Sequence, residues 1–201
     1  GIGIKTNIIP RNFPIDIRGL TGCLSLINLK LKNVNISASN SNCEDSINFI
    51  NTKGSIDKLF VRNSYRDALD ADFSELKINE IEIFNALNDC ADFSYGKYEL
   101  INSKFNNCGD KAVSIGENSN VKINEVNIEN AKFGIATKDS SILNLNNALI
   151  NNIDTCLAAY NKKQEFSGGF VQVKKIECKN FLKKIDKDNF SEIILEELSN
   201  T

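Results

Sequence analysis

Small and apolar residues recur with a period of 22 positions through the middle of the chain. A column of small residues at this spacing contains Ser46, Ala68, Cys90, Ala112, Gly134 and Cys156, and an apolar residue follows each of them. Repetition of this length indicates a solenoid, in which each repeat buries its apolar face against its neighbours. The pattern therefore predicts a stack of coils.

Two further columns keep nearly the same period. In one, an apolar residue, a variable residue and an asparagine recur, and the asparagines are Asn63, Asn85, Asn107, Asn130, Asn152 and Asn180. The other is an apolar column with Ile56, Ile78, Leu100, Ile123, Leu145 and Val173, in which most members follow another apolar residue by two positions. Alternation with period two is typical of strands that bury one face.

Each repeat therefore contains about three short strands and no window long enough for a helix. Stacked coils place equivalent residues of neighbouring repeats at the parallel-strand spacing of about 4.8 Å, so like residues contact one another. We expect the asparagines to form a buried ladder. In such a ladder each amide donates to the asparagine one coil below, which satisfies a group whose burial would otherwise be costly.

The asparagine ladder, the 22-residue coil and the stacked apolar columns resemble those of the pectin-lyase-like superfamily, over residues 17–181. This resemblance implies an all-β fold, a single-stranded right-handed parallel β-helix (solenoid) of about six to seven 22-residue coils. Members of that superfamily include polysaccharide lyases, glycoside hydrolases, uronan epimerases, non-catalytic surface proteins and phage tailspikes. The fold alone does not choose among these activities.

Three segments depart from the repeat. Residues 161–169 form a polar insertion, and residues 37–45 form a second one if Asn33 belongs to the ladder. Inserted loops often carry binding groups, and otherwise they are tolerated surface excursions. We predict a parallel β-helix domain over residues 1–181 and a C-terminal cap over residues 182–201. The cap is expected to be a short amphipathic helix or a turn that covers the open end of the stack.

Composition narrows the possible chemistry. The 201 residues carry 24 Lys and Arg against 26 Asp and Glu, a net charge of −2, which offers no field for a polyanion and argues against a nucleic-acid partner. The chain has no His, so Ser-His-Asp and Cys-His catalysis are excluded. No apolar run reaches the roughly 20 residues of a membrane-spanning helix. The chain also lacks Met, so we expect Gly1 to follow a removed segment, and we predict an extracellular, periplasmic or cell-surface location.

The six cysteines contain no Cys-x-x-Cys pair, which argues against structural zinc. Cys90 and Cys156 lie three repeats apart, roughly 14 Å at strand spacing, so we expect both to be buried thiols. Cys178 replaces an apolar residue in its column and is expected in the core. Cys23 and Cys43 can bridge if they lie in adjacent coils.

Aspartates crowd one predicted outer face over two successive repeats. Alternation directs Leu69, Ala71 and Phe73 inward and the intervening residues outward. The outer set, with the turn before each strand, is Asp67, Asp70, Asp72, Asp89 and Asp92. Like charges on neighbouring strands repel by about 1 kcal/mol per pair at a protein surface, so an offsetting interaction is required unless the patch is simply solvated.

Three offsetting interactions remain open. Ca²⁺ takes carboxylate oxygens without needing His, which makes Asp70 and Asp92 candidate metal ligands; otherwise the protein has no cofactor. A raised pKa would suit a general acid for glycoside cleavage, with Asp67, Asp70, Asp89 and Asp92 as candidate catalytic residues. The third offsetting interaction is an ion pair between these aspartates and Arg62, Arg66 or Lys111.

Above the aspartates the same face carries small residues and then basic and aromatic ones. The candidate substrate-binding residues are Arg66, Asp72, Lys111, Lys138, Tyr160, Lys162 and Lys163, with Tyr160 stacking on a sugar ring. We predict a carbohydrate-associated β-helix that binds or processes an extracellular or envelope polysaccharide, uronic-acid polymers included. The alternative is a non-catalytic surface, scaffold or adhesion protein, since no catalytic signature of the superfamily is intact.

Overall fold

The computed structural model describes residues 3–6 and 15–196. Among these residues there are thirteen strands and no helix. Their bounds are β1 Gly3–Thr6, β2 Gly22–Ile27, β3 Lys30–Ser41, β4 Asp45–Ile50, β5 Lys53–Ser64, β6 Asp67–Asp72, β7 Glu75–Ala86, β8 Ala91–Ser94, β9 Lys97–Gly116, β10 Asn120–Lys138, β11 Ile142–Tyr160, β12 Phe170–Lys187 and β13 Glu192–Leu195. Consequently no described segment is a helix of the length and apolarity needed to cross a membrane.

The strands pair in parallel along the whole stack, which confirms the right-handed parallel β-solenoid. The repeat closes after about 22 residues, and Ile56 pairs with Ile78, which in turn pairs with Leu100. The stack has about eight coils rather than the predicted six to seven. The estimate fell short because β1–β3 and β12–β13 continue the pairing where the repeated columns have faded from the sequence.

The predicted apolar columns form the core. Every member of the column from Ile56 to Val173 is buried, and successive members pair in register. The small column is buried as well, and five of its six members lie within strands, Cys90 being the exception just before β8. Burial of each large apolar side chain contributes about 1.5–3 kcal/mol, so this continuous core is the main source of stability.

The asparagine ladder is confirmed, although its side chains lie at the surface and not in the core. Asn63, Asn85 and Asn107 each donate an amide hydrogen to the asparagine one coil below, at 2.8–2.9 Å. Asn130 and Asn180 donate instead to Asn106 and Asn151. All six predicted members have positive φ, between 49° and 60°. Asparagine is favoured here because it tolerates the left-handed conformation that the turn requires.

One predicted insertion exists and the other does not. Residues 161–169 lie outside the strands between β11 and β12, as predicted. Residues 37–45 are no insertion, because β3 extends to Ser41 and Asn40 is the ladder residue below Asn63. The predicted helix is wrong over the described residues of the cap, since β12 continues to Lys187 and β13 follows it. Residues 197–201 of the cap lie outside the described residues.

The cysteines correct one prediction. Cys23 and Cys43 form a disulfide, as the sequence allowed. Cys90 is not a free thiol: it is bonded to Cys108, 18 residues later. Cys108 pairs in register with Ala86 of the coil below, and Cys90 follows Ala86 in the turn after β7. The sulfur atoms of Cys90 and Cys108 therefore meet at this turn. Cys156 is a buried free thiol, as expected, and Cys178 is a free thiol packed against the core and partly exposed.

Candidate functional site

One side of the solenoid is formed by β4, β6, β8 and the C-terminal ends of β9–β11. Its outward residues pair in register from coil to coil, and the central column reads Asn48, Asp70, Asp92, Ser114, Ala136 and Ala158. We call the aspartate-rich half of this side the acidic face. It contains Asp45, Asp67, Asp70, Asp72, Asp89 and Asp92.

Asp70 lies at the centre of the acidic face. Its Oδ2 accepts a hydrogen bond from Asn48 Nδ2 at 2.8 Å, and its carboxyl shares a second hydrogen bond with Asp72. Burial, followed by the charges of Asp72, Asp45 and Asp92, raises the pKa of Asp70 to about 9. Asp70 therefore keeps its proton at neutral pH and donates it to Asp72, which reduces the repulsion predicted for this cluster.

The pKa values of two neighbouring carboxyls are also raised. Burial and the charge of Asp89 raise the pKa of Asp67 to about 7, although Asp67 Oδ1 accepts hydrogen bonds from Asn88 Nδ2 and the Asp89 backbone N–H. Burial also raises the pKa of Asp45 to about 6. At neutral pH this face therefore holds the proton of Asp70 and is partly protonated at Asp67, whereas exposed aspartates are ionised.

Among the described residues, a cation pairs with the acidic face only at Asp89, on one edge. Lys111 Nζ lies 3.4 Å from Asp89 Oδ1 and also contacts Asp110, and burial nevertheless keeps the pKa of Asp89 above its ordinary range. Arg66 pairs with Glu44 at 2.8 Å and not with an aspartate of this face. Arg62 lies on another face, beside Phe60 and Phe84. Of the three predicted ion pairs, only that with Lys111 is confirmed.

The acidic face also contains buried polar atoms with no protein partner among the described residues. They are Asp45 Oδ2, Asn48 Oδ1, Asp92 Oδ1 and Ser114 Oγ. Asn48 and Ser114 are 1% and 0% exposed, and both point outward in the central column. A buried polar group without a hydrogen bond costs about 1–3 kcal/mol, so a bound molecule that met one of these atoms when its side chain turned outward would supply the missing bond.

The part of the chain that the structure describes has no evident metal site. Among the described residues, no group of three or more Asp, Glu or Cys side chains is arranged to hold a metal ion. The predicted pair Asp70 and Asp92 lies in register on adjacent coils, and because burial raises the pKa of Asp70, a cation bound there would have to displace its proton. Ca²⁺ at Asp70 and Asp92 therefore stays a prediction.

The inserted loop of residues 161–169 folds back along the edge of this side. Asp139 Oδ1 accepts hydrogen bonds from the backbone N–H groups of Lys162 and Lys163, at 2.7 and 2.8 Å. Lys163 Nζ reaches one coil further and pairs with Glu117 Oε1 at 2.7 Å. The Glu117 carboxylate also accepts a hydrogen bond from Ser94, so the loop is fixed to the same coils that carry the acidic face.

Three aromatic rings border the acidic face, and we call them the aromatic ridge: Phe73, Tyr95 and Phe166. The rings of Phe73 and Tyr95 stack at 4.7 Å between centroids, and Phe166 of the inserted loop meets Tyr95 edge-on at 6.3 Å. Phe73 does not point inward as alternation predicted. It follows the last residue of β6, where the chain turns with φ +52°, and 55% of it is exposed.

The predicted substrate-binding residues above the aspartates differ in how exposed they are. Tyr160 is half-buried beside Lys138 of the coil below, with which it pairs in register. Lys138 is only 4% exposed and is therefore not free to contact a substrate. Lys162 is exposed on the inserted loop. The upper end of this side is thus less basic at its surface than the sequence suggested.

Grooves on the other faces have a different character. One of them, of about 560 Å³, is lined by Glu75, Lys77, Lys97, Glu99 and Lys122, among others. These charges alternate in sign from coil to coil and form exposed ion pairs, such as Lys77–Glu99 at 3.5 Å. Exposed pairs contribute little and are typical of a solvated surface, so we place the functional site on the acidic face.

Sequence reasoning missed five residues of this side: Asp45, Asn48, Glu117, Tyr95 and Phe166. The 22-residue step contained the signal for most of them, because Asp45 and Asn48 precede Asp67 and Asp70 by 22, and Tyr95 and Glu117 follow Phe73 at the same spacing. Phe166 carried no such signal, since it lies in the insertion.

No family model matches this chain, and comparisons with curated proteins and solved structures found no match.

Proposed function

We propose that this β-solenoid binds a polysaccharide along its acidic face. The observation that carries the proposal is the group of buried, unpartnered oxygen atoms on Asn48, Asp92 and Ser114, in register on successive coils beside the protonated Asp70. A sugar chain presents hydroxyl groups at regular intervals, and each hydroxyl can donate to one of these acceptors while accepting from a neighbouring group. The repetition of the face from coil to coil suits a linear polymer.

The charge of the face favours a neutral sugar chain over a uronic-acid polymer. Asp45, Asp67, Asp72 and Asp92 have no ion-pair partner within 4 Å among the described residues. A carboxylate of a uronic acid would add like charge to this cluster, whereas a sugar hydroxyl would satisfy it. The predicted cations do not reverse this preference, because Lys111 and Lys163 are already paired with Asp89 and Glu117.

A second candidate function is glycoside cleavage, and the protonated Asp70 favours it. A general acid must hold its proton at working pH, and burial does this for Asp70. Asp92 is the register partner of Asp70 on the adjacent strand, whose backbone lies about 4.8 Å away, and retaining glycosidases place their two carboxyl groups roughly 5–5.5 Å apart. In this proposal Asp70 protonates the leaving oxygen and Asp92 is the nucleophile.

Two disulfides support an oxidising location, because such bonds persist outside the reducing cytosol. We therefore propose that the protein acts outside the cell, in a periplasm or on a cell surface. Membership of the pectin-lyase-like superfamily is likewise a proposal, supported by the parallel coils of about 22 residues and the asparagine ladder. A non-catalytic surface protein would share both features.

The binding proposal is tested with Asp92→Ala. Alanine already occupies this column at Ala136 and Ala158, so the substitution suits the fold and removes only the acceptor. With neutral and uronic hexasaccharides as probes, we expect wild-type protein to bind a neutral chain and Asp92→Ala to bind it about tenfold more weakly. Asp154→Ala, at an exposed aspartate off the acidic face, is the control.

Two results would count against the binding proposal. Wild-type protein that binds no sugar would leave the acidic face without a ligand of this class. Equal binding by Asp92→Ala, with raised thermal stability, would show that the cluster is only a source of repulsion. Cleavage is tested separately by product analysis, and hydrolysis that survives in Asp70→Asn would exclude Asp70 as the acid.

A further inference from the structure

Phe73 and Tyr95 of the aromatic ridge occupy backbone positions that suit asparagine and not aromatic residues. At steps of 22 or 23, a column of left-handed residues follows the strands of the acidic face: Asn28, Asn51, Phe73, Tyr95, Glu117 and Asp139, all with φ between 47° and 56°. At the lower two positions Asn51 donates an amide hydrogen to Asn28 at 2.7 Å, which is the ladder expected of such a column. Bulky residues are rare in this conformation because of steric strain.

Core packing does not account for this strained placement. Phe73 and Tyr95 are 55% and 39% exposed, so the two rings gain little from burial, and what they gain comes mainly from stacking on each other. Asparagine at the same positions would continue the amide ladder from Asn51. Backbone strain that packing does not require is typical of functional sites.

The inserted loop contributes the third ring, Phe166, to the aromatic ridge. The loop is the longest insertion into the 22-residue repeat beyond β4. Asp139 accepts hydrogen bonds from the loop backbone, and in this position Phe166 contacts Tyr95. The ridge thus combines residues from two coils with one from the insertion. It borders the acidic face directly, because Asp72 and Ser94 immediately precede Phe73 and the Tyr95 turn at the ends of β6 and β8.

We propose that the aromatic ridge is a sugar-binding subsite that fixes one edge of the polysaccharide. The C–H groups of a sugar ring would pack against the exposed flank of Phe73 and Tyr95, while its hydroxyls face Asp72 and the Glu117–Lys163 pair. Sugar rings combine such apolar patches with donors and acceptors, which matches a hydrophobic wall beside a row of carboxyls. This inference rests on the proposed function and specifies where the chain lies on the face.

The test is the double variant Phe73→Asn/Tyr95→Asn, which extends the asparagine ladder. The matched control is Phe84→Asn on another face, in a column that already contains Asn106 and Asn151. Cellohexaose, mannohexaose and a hexagalacturonate are titrated by calorimetry, with thermal melts of every variant. We expect the double variant to melt at or above the wild-type temperature and to bind the preferred hexasaccharide about tenfold more weakly, whereas Phe84→Asn binds normally.

The outcomes separate the two proposals. If wild-type protein binds a hexasaccharide and the double variant binds it equally well, the subsite is wrong and the acidic face remains the site. If the double variant melts well below Phe84→Asn, the ridge is structural and the inference fails even if binding is lost. If wild-type protein binds none of the probes, both proposals fail, and the ridge would be better explained as a contact for another protein.

Discussion

Replacing Asp70 by Asn should stabilise the folded protein at neutral pH and flatten its pH dependence. Folding raises the pKa of Asp70 from an ordinary value of about 4 to about 9, mainly through burial. The folded state therefore binds one more proton than the unfolded chain across this interval. The stability that this proton contributes is fully present below pH 4 and is lost as the pH rises towards 9.

The magnitude follows from the same shift. About three pH units separate pH 7 from the ordinary aspartate pKa, and each unit corresponds to about 1.4 kcal/mol, so the carboxyl lowers the free energy of unfolding by up to about 4 kcal/mol at pH 7. Asparagine is neutral at every pH. Its oxygen can still accept from Asn48 Nδ2, and its amide group can donate to Asp72. The variant should thus recover most of this free energy.

Urea unfolding followed by circular dichroism at pH 4.5, 6, 7 and 8 measures the effect. We expect the two proteins to be similarly stable at pH 4.5 and to diverge as the pH rises, with equal m-values. Asp154→Asn, at an exposed position, should follow the wild type throughout. A parallel pH profile for Asp70→Asn and wild type would show that Asp70 ionises normally in the folded state, and the description of the acidic face would then be wrong.

Three further predictions concern the stack itself. Asn85→Ala removes two ladder hydrogen bonds of 2.9 Å at a residue with φ +60°, so it should lower the free energy of unfolding by about 2–3 kcal/mol, and Asn85→Gly, which relieves the backbone strain, by less. Cys90→Ala/Cys108→Ala opens an 18-residue loop and should cost about 3 kcal/mol in urea unfolding. Gly109→Ala should lower the melting temperature, because its Cβ would lie 2.1 Å from the Leu87 carbonyl oxygen, a contact that the backbone must move to relieve.

Each of the three stability predictions would be contradicted by a specific measurement. Equal stability of Asn85→Ala and wild type would mean that the surface ladder contributes nothing. Unchanged unfolding of the double cysteine variant would mean that the bond does not form in solution, and a melting temperature for Gly109→Ala equal to that of wild type would mean that the coils are less closely stacked than described here.

Period-22 columns were enough to predict the register of the core. Ile78 lies over Ile56, and Asp92 lies over Asp70, as spacing alone required. The number of coils was harder to predict, because terminal strands such as β13 pair through the backbone and need no repeated side chain. Period-two alternation also misplaced Phe73, since it describes strands and does not detect the residue at which a strand becomes a turn.

The rest of the site depends on features that sequence spacing does not encode. Cys108 meets Cys90 because one coil returns over the turn of another, and their separation of 18 matches no column. Phe166 reaches Tyr95 because the inserted loop folds back along the stack, a direction set by hydrogen bonds to Asp139. The burial that raises the pKa of Asp70 is likewise not given by the 22-residue spacing, because spacing gives the register of a side chain and not how much of it the fold covers.

The most direct test of the account is a carbon-13 NMR titration of the aspartate side-chain carboxyls. If six aspartates share one half-buried face, the signal of Asp70 should titrate near pH 9, that of Asp67 near pH 7 and that of Asp45 near pH 6. Titration of all three near the ordinary value of about 4 would contradict the account, because it would place these carboxyls apart and in water.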